Sequence, residues 1–179
     1  AVTAFASSAS GTVYAATIPD GKIFKVAQGK AELFATLSDM SHIWALAVDK
    51  NGALFAAGGP EARVMRVEAN GTSSVYFKSD EPYIASLAVG EKGELYAGSS
   101  GKGIIYKITG AGRASVLYDF IGEEVKSIAV AKGGVLYAIA NELQLNVPER
   151  TRLSAVLKAL HDHLIKEFSR GRQVVVLID

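Results

Sequence analysis

The chain has no cysteine in its 179 residues, which removes disulfides, thiolate metal sites and cysteine nucleophiles in one step. It has almost no excess of charge: 19 Lys and Arg face 18 Asp and Glu, a formal net charge of +1. No broad field therefore exists to attract nucleic acid or an anionic membrane surface. No apolar run approaches the roughly 18 residues that a spanning helix needs, and the start Ala1-Val2-Thr3 has no basic stretch followed by an apolar one. Nor does the chain begin with methionine, which reads as a processed product or an excerpt of something longer. What is present is the composition of an ordinary folded protein, 49% hydrophobic and 21% charged, enough for one substantial core or two small ones.

That composition is organised by a repeat. Val2-Thr3-Ala4-Phe5-Ala6, Ile43-Trp44-Ala45-Leu46-Ala47, Ile84-Ala85-Ser86-Leu87-Ala88 and Val125-Lys126-Ser127-Ile128-Ala129 follow one another at a constant step of 41. The same step links Gly11-Thr12-Val13-Tyr14-Ala15 to Gly52-Ala53-Leu54-Phe55-Ala56, Gly93-Glu94-Leu95-Tyr96-Ala97 and Gly134-Val135-Leu136-Tyr137-Ala138, and links Ile23-Phe24-Lys25-Val26 to Val64-Met65-Arg66-Val67 and Ile105-Tyr106-Lys107-Ile108. A looser fourth run is Phe34-Ala35, Val75-Tyr76-Phe77 and Val116-Leu117-Tyr118. Each unit thus holds four short runs rich in β-branched and aromatic residues, separated by turn signals such as Asp20-Gly21, Asn51-Gly52 and Asn70-Gly71. The fold class is mainly β, and each unit is a four-stranded antiparallel meander. A repeat of about 40 to 45 residues with four strands fits a propeller blade. Ala4, Ala45 and Ser86 are the small residues an innermost strand needs where blades converge, and Phe5, Leu46, Leu87 and Ile128 are expected to pack on its other face.

Units such as Leu46-Ala47-Val48-Asp49-Lys50-Asn51-Gly52-Ala53-Leu54-Phe55-Ala56-Ala57 resemble the bacterial propeller repeats of the NHL and streptogramin-lyase-like group. The likeness covers residues 2–139 and implies architecture more than activity, since that group includes lyases, lactonases and pure binding modules. The expected blades are 1–42, 43–83, 84–124 and an incomplete 125–140. Adding one step to 105–108 lands on Asn146-Val147-Pro148-Glu149, whose proline cannot donate to a ladder. Three and a half blades do not close, because propellers use roughly four to eight. Either a second copy completes the ring as a homo-oligomer, or further blades belong to sequence beyond this.

From 141 to 179 the texture changes. Leu153, Val156, Leu157, Leu160, Leu164 and Phe168 recur three or four apart, one face of a helix. Gly171 suits its C-terminal turn, and Val174-Val175-Val176-Leu177-Ile178 reads as a buried strand. This helix-strand α/β fragment resembles the AAA-type P-loop ATPase of the general secretion pathway, its A component, up to the Walker B strand. The resemblance implies that Asp179 stands where that family's aspartate helps to hold Mg²⁺ beside a nucleotide. No Gly-x-x-x-x-Gly-Lys-Ser/Thr precedes it, which argues against ATP hydrolysis by this chain. The two textures meet near residue 140 as in a spliced product, a designed or recombined chimera, or a chain with a break at that point.

Several apparent motifs have plainer explanations. Gly98-Ser99-Ser100-Gly101-Lys102-Gly103 has the wrong spacing for a phosphate loop and falls where the repeat puts a turn. Asn70-Gly71-Thr72 is better explained as a hairpin turn than as a glycosylation acceptor. His161 and His163, two apart on a helix, point to different faces and cannot share a metal ion. His42 has no activated hydroxyl that the sequence places beside it. No catalytic residue, metal or cofactor is therefore expected. The loops between blades and the turns between second and third strands should emerge at one end, where propellers bind partners. They carry His42, Trp44, Glu81, Tyr83, Glu123 and Glu124, aromatics mixed with carboxylates that suit a protein, a peptide or a small polar ligand. Trp44 leads this set, because Thr3, Ala85 and Lys126 occupy its repeat positions; its other reading is a plug for the central channel. The first functional expectation is a non-catalytic binding or scaffold module. The alternatives are part of a propeller lyase or hydrolase whose active residues lie in absent blades, and a component of a secretion-ATPase assembly.

Overall fold

The computed structural model describes residues 1–120, 124–131 and 135–140. The helix and strand expected within 141–179, with Asp179, lie outside the described residues, as does Glu123. The first sheet comprises β1 (Val2–Ser7), β2 (Val13–Thr17), β3 (Lys22–Ala27) and β4 (Lys30–Thr36). The second comprises β5 (His42–Val48), β6 (Leu54–Gly59), β7 (Arg63–Val67) and β8 (Ser73–Lys78). The third comprises β9 (Tyr83–Val89), β10 (Leu95–Ser100), β11 (Ile104–Gly110) and β12 (Arg113–Asp119), and β13 (Val125–Ala131) pairs with β14 (Val135–Ala140). Within each sheet the strands pair antiparallel in sequence order, as a meander with short turns dictates. The fourth sheet contains the first two strands of a unit among the described residues.

The turns obey the repeat down to single hydrogen bonds. The amides of Ser8, Asp49 and Gly90 donate to the carbonyls of Thr12, Ala53 and Glu94 at 2.9, 3.0 and 2.7 Å. Gly11, Gly52 and Gly93, one step apart, each close the same turn at φ values of 82, 84 and 85°, a left-handed conformation that a β-carbon disfavours. The side chain that supports this turn changes from blade to blade. Asp49 Oδ1 accepts the Asn51 amide at 2.9 Å. In the next blade the equivalent residue is Gly90, and Glu94 Oε2 folds back to accept the Lys92 amide at 3.0 Å. A β-carbon on Gly90 would lie 2.5 Å from the Glu94 carboxyl carbon, so the glycine makes room for the replacement acceptor. At the expected turn of Asn70, the side-chain oxygen accepts the Thr72 amide at 3.1 Å and the Thr72 hydroxyl at 2.7 Å.

The core lies between sheets rather than inside any one of them. Ala4, Ala16 and Ile23 of the first blade pack on Ile43, Leu46, Leu54 and Met65 of the second. Ala57, Val64 and Phe77 pack on Ile84, Leu95 and Ile108 of the third. Tyr96 and Ile105 pack on Val125 and Ile128 of the fourth. Each fully buried aliphatic side chain contributes roughly 1.5–3 kcal/mol, so the blades depend on their neighbours. One expectation needs correction. Leu46 and Ile128 are buried, at 8% and 7% exposure, but Phe5 at the same repeat position is 67% exposed. The reason is its place in the array: Phe5 belongs to the face of the first blade that looks away from the second.

Candidate functional site

The turns between second and third strands are tied to the connectors that lead to the next blade, which brings both to one end of the array. The amides of Leu37, Ser79 and Phe120 donate to the carbonyls of Gly21, Ala62 and Gly103 at 2.8, 3.1 and 3.2 Å. In return the amides of Gly21 and Ala62 donate to the carbonyls of Ser41 and Pro82, both at 3.2 Å. Charge fastens the first connector to the second blade. Arg63 lies between Asp39, at 3.8 Å, and Glu61, to which Lys78 also bonds at 3.0 Å. The Lys78 ammonium and then the Arg63 guanidinium hold Glu61 below the usual carboxylate range.

Beside these connectors the first strands of the four blades surround a shallow cavity of about 210 Å³. Its wall repeats at the 41-residue step: Thr3 to Phe5, Trp44 to Leu46, Ala85 to Leu87 and Lys126 to Ile128. Trp44 is therefore a wall residue of the shared hub, and it remains 38% exposed there. His42 stacks on it with ring centroids 5.9 Å apart and an interplanar angle of 26°. The His42 Nδ1 is also 2.9 Å from the Ser41 hydroxyl, a proximity the sequence reading did not foresee. A serine–imidazole contact works as a nucleophile and base when a third group orients the ring; here the ring's neighbours are its own sequence neighbour and an indole.

The expected carboxylates separate. Glu81 turns inward: it is 6% exposed, and its Oε2 accepts the Lys102 amide at 2.8 Å. The approach is close because residue 101 is a glycine at φ 119°, where a β-carbon would stand 2.6 Å from that oxygen. Glu81 thus clamps the β10–β11 turn and is not presented to a partner. Glu124 is paired with Lys126 at 3.1 Å, next to the cavity. Tyr83 is exposed, its ring edge lying over Gly59. The structure brings His42, Trp44 and the Glu124–Lys126 pair to the hub and leaves Tyr83 outside the cavity wall. Thr3, Lys126 and Ser127 were not singled out from the sequence, although the repeat positions of Trp44 pointed to two of them. Among the described residues no group of three or more His, Asp and Glu side chains could hold a metal ion.

No family model matches the chain, and no curated protein sequence matches it. Solved structures do. Virginiamycin B lyase from Staphylococcus aureus superposes with a TM-score of 0.68 at 17% identity over 77% of this chain and 48% of the lyase. The nidogen/laminin complex gives 0.69 at 13% over 78% of this chain and 56% of the matched one. The chain has a β-propeller-like fold. An aldose sugar dehydrogenase from Streptomyces coelicolor, solved with PQQ bound, is also similar, with a TM-score of 0.62 at 16% identity over 76% of this chain and 56% of the enzyme. The chain spans about half the length of these three structures, two of them enzymes and one a protein complex.

Proposed function

We propose that the chain is a non-catalytic propeller binding module that receives a peptide segment or small polar ligand at the hub, against Trp44. The observation that carries this reading is the composition of the cavity wall. Twelve residues from four blades line it, and Lys126 is the one charged group among them, already neutralised by Glu124 at 3.1 Å. A general acid or base must stand within hydrogen-bond reach of its substrate; this wall offers hydroxyls, an ammonium and a broad indole face. Indole surfaces surrounded by polar groups are common anchors in recognition. The similarity to the nidogen/laminin complex supports a binding role for blades of this kind.

Trp44 is the sole tryptophan, so its fluorescence reports on the hub directly. Pools of synthetic hexapeptides, basic, acidic and aromatic in turn, titrated into the full chain should include one that shifts the emission saturably. Calorimetry with Trp44→Ala should then lose at least tenfold in affinity. If no pool moves the emission, or if Trp44→Ala binds as the parent does, the reading fails. Turnover of a bound peptide at a rate abolished by His42→Ala would replace it with an enzymatic one.

A further inference from the structure

The turn pairs Asp20-Gly21, Asn51-Gly52 and Asn70-Gly71 look alike in the sequence, but the structure restrains the first and third and leaves the second free. An asparagine followed by glycine can cyclise. The glycine amide nitrogen attacks the side-chain carbonyl carbon, ammonia leaves, and water then opens the resulting succinimide to aspartate or isoaspartate. Glycine permits the ring because no β-carbon hinders its backbone. The reaction consumes only water, so the surroundings of the pair decide its rate. We propose that Asn51 is a site of self-modification, deamidating through a succinimide in the folded chain, while its own turn holds Asn70 unreactive.

The two asparagine turns match in backbone and differ in restraint. Gly52 and Gly71 are both left-handed, at φ 84 and 83°. Their amides donate to the carbonyls of Asp49 and Glu68 at 3.0 and 2.9 Å, and both asparagines are exposed. Asn70 Oδ1, however, accepts the Thr72 amide at 3.1 Å and the Thr72 hydroxyl at 2.7 Å. Both bonds must yield before the side chain can turn its carbonyl carbon onto the Gly71 nitrogen. At the other turn Asp49 is the acceptor, its Oδ1 taking the Asn51 and Ala53 amides at 2.9 and 2.8 Å. The Asn51 side chain is therefore left without a hydrogen bond among the described residues. The glycines differ in the same sense. A β-carbon on Gly52 would meet nothing within 4 Å, whereas one on Gly71 would collide with the Phe34 carbonyl of the first blade. The Gly52 backbone has room to follow the ring closure, and Gly71 is wedged against its neighbour. Asp20-Gly21, which forms the same ring by losing water, is also held: Asp20 accepts the Thr17 hydroxyl at 2.9 Å and pairs with Lys22 at 2.8 Å, and a β-carbon on Gly21 would collide with the Met40 carbonyl. Isoaspartate at 51 adds a backbone carbon to the β5–β6 turn and loosens the bond from the Ala53 amide. That turn is at the opposite end of β5 from His42, so the modification accumulates away from the hub.

The full chain, kept in mildly alkaline buffer and sampled over weeks, can be followed by peptide mapping with mass spectrometry. Deamidation at Asn51 should outrun that at Asn70 by roughly tenfold or more, the effect of having to release two hydrogen bonds. In concentrated urea the two sites should react at similar rates. Thr72→Val should speed Asn70 and leave Asn51 unchanged, and Asn51→Gln, which would need a larger ring, should remove the modification. In the aged fraction the Ala53 amide should exchange faster. Equal rates at the two sites in the folded chain overturn the proposal. So does a ratio that is the same in urea, or a folded Asn51 that stays intact while the urea-treated chain is modified.

Discussion

Ser86 stands directly opposite Gly98 across the β9–β10 pairing, where the two preceding blades place Ala4 opposite Ala16 and Ala45 opposite Ala57. The third blade has moved one heavy atom from one strand to the other. The hydroxyl gained by Ser86 reaches the Val125 carbonyl at 2.8 Å, and a β-carbon on Gly98 would come within 2.4 Å of that hydroxyl. Gly98→Ala should therefore destabilise the chain by about 1–3 kcal/mol, as overpacking does. Adding Ser86→Ala recreates the Ala–Ala pair of the other blades and should recover part of the loss, although Val125 also lies 2.6 Å from the added carbon. A double-mutant cycle by urea denaturation measures the coupling; strictly additive effects would show that the two residues do not share this space.

Glu81 should behave as a structural carboxylate. Glu81→Ala removes the acceptor of the partly buried Lys102 amide and should cost about 1 kcal/mol, while Glu81→Gln keeps an acceptor and should cost less. Neither should change hexapeptide binding at the hub, because the side chain is turned into the β10–β11 turn. Equal losses for the two variants, or a binding defect in the folded glutamine variant, would contradict this.

Glu94 should impose an acid limit on stability. Its own backbone amide first, then the Tyr96 hydroxyl and the Lys92 amide, hold its pKa below the ordinary 4.5 against the opposing effect of burial. A depressed folded-state pKa means that the stabilisation is present above the ordinary value and is lost as pH falls through the lowered one. Glu94→Gln should thus be less stable than the parent near neutral pH, by about 1 kcal/mol, and the difference should shrink in acid. Denaturation midpoints at several pH values test it; a constant offset would mean that charge is not involved.

Much of this architecture was legible because the repeat is regular. The runs beginning at Val2, Ile43, Ile84 and Val125 became β1, β5, β9 and β13, within one residue of their expected starts. The looser fourth run was also found, as β4, β8 and β12. Those outer strands carry weaker signals because they pack least: all of β12 is exposed. Glu81 was misjudged as a surface group since a carboxylate is normally solvated. A signal was available in its repeat partner Met40, which is fully buried, so the position points inward in both blades and the Lys102 amide makes the charge tolerable. The Ser41–His42 contact escaped because side-chain rotation between adjacent residues leaves no trace in spacing. Phe5 escaped for the opposite reason, since a repeat predicts equal environments and the outermost face of an array is the one place where they differ.

Residue-resolved hydrogen exchange on the full chain tests the blade architecture most directly, because exchange follows local opening. Protection should be greatest in the buried strands β6 and β10, fall through β8 and β12, and repeat with the 41-residue step of the sequence. Protection that runs evenly through the outer strands, or that lacks this period, would contradict the account.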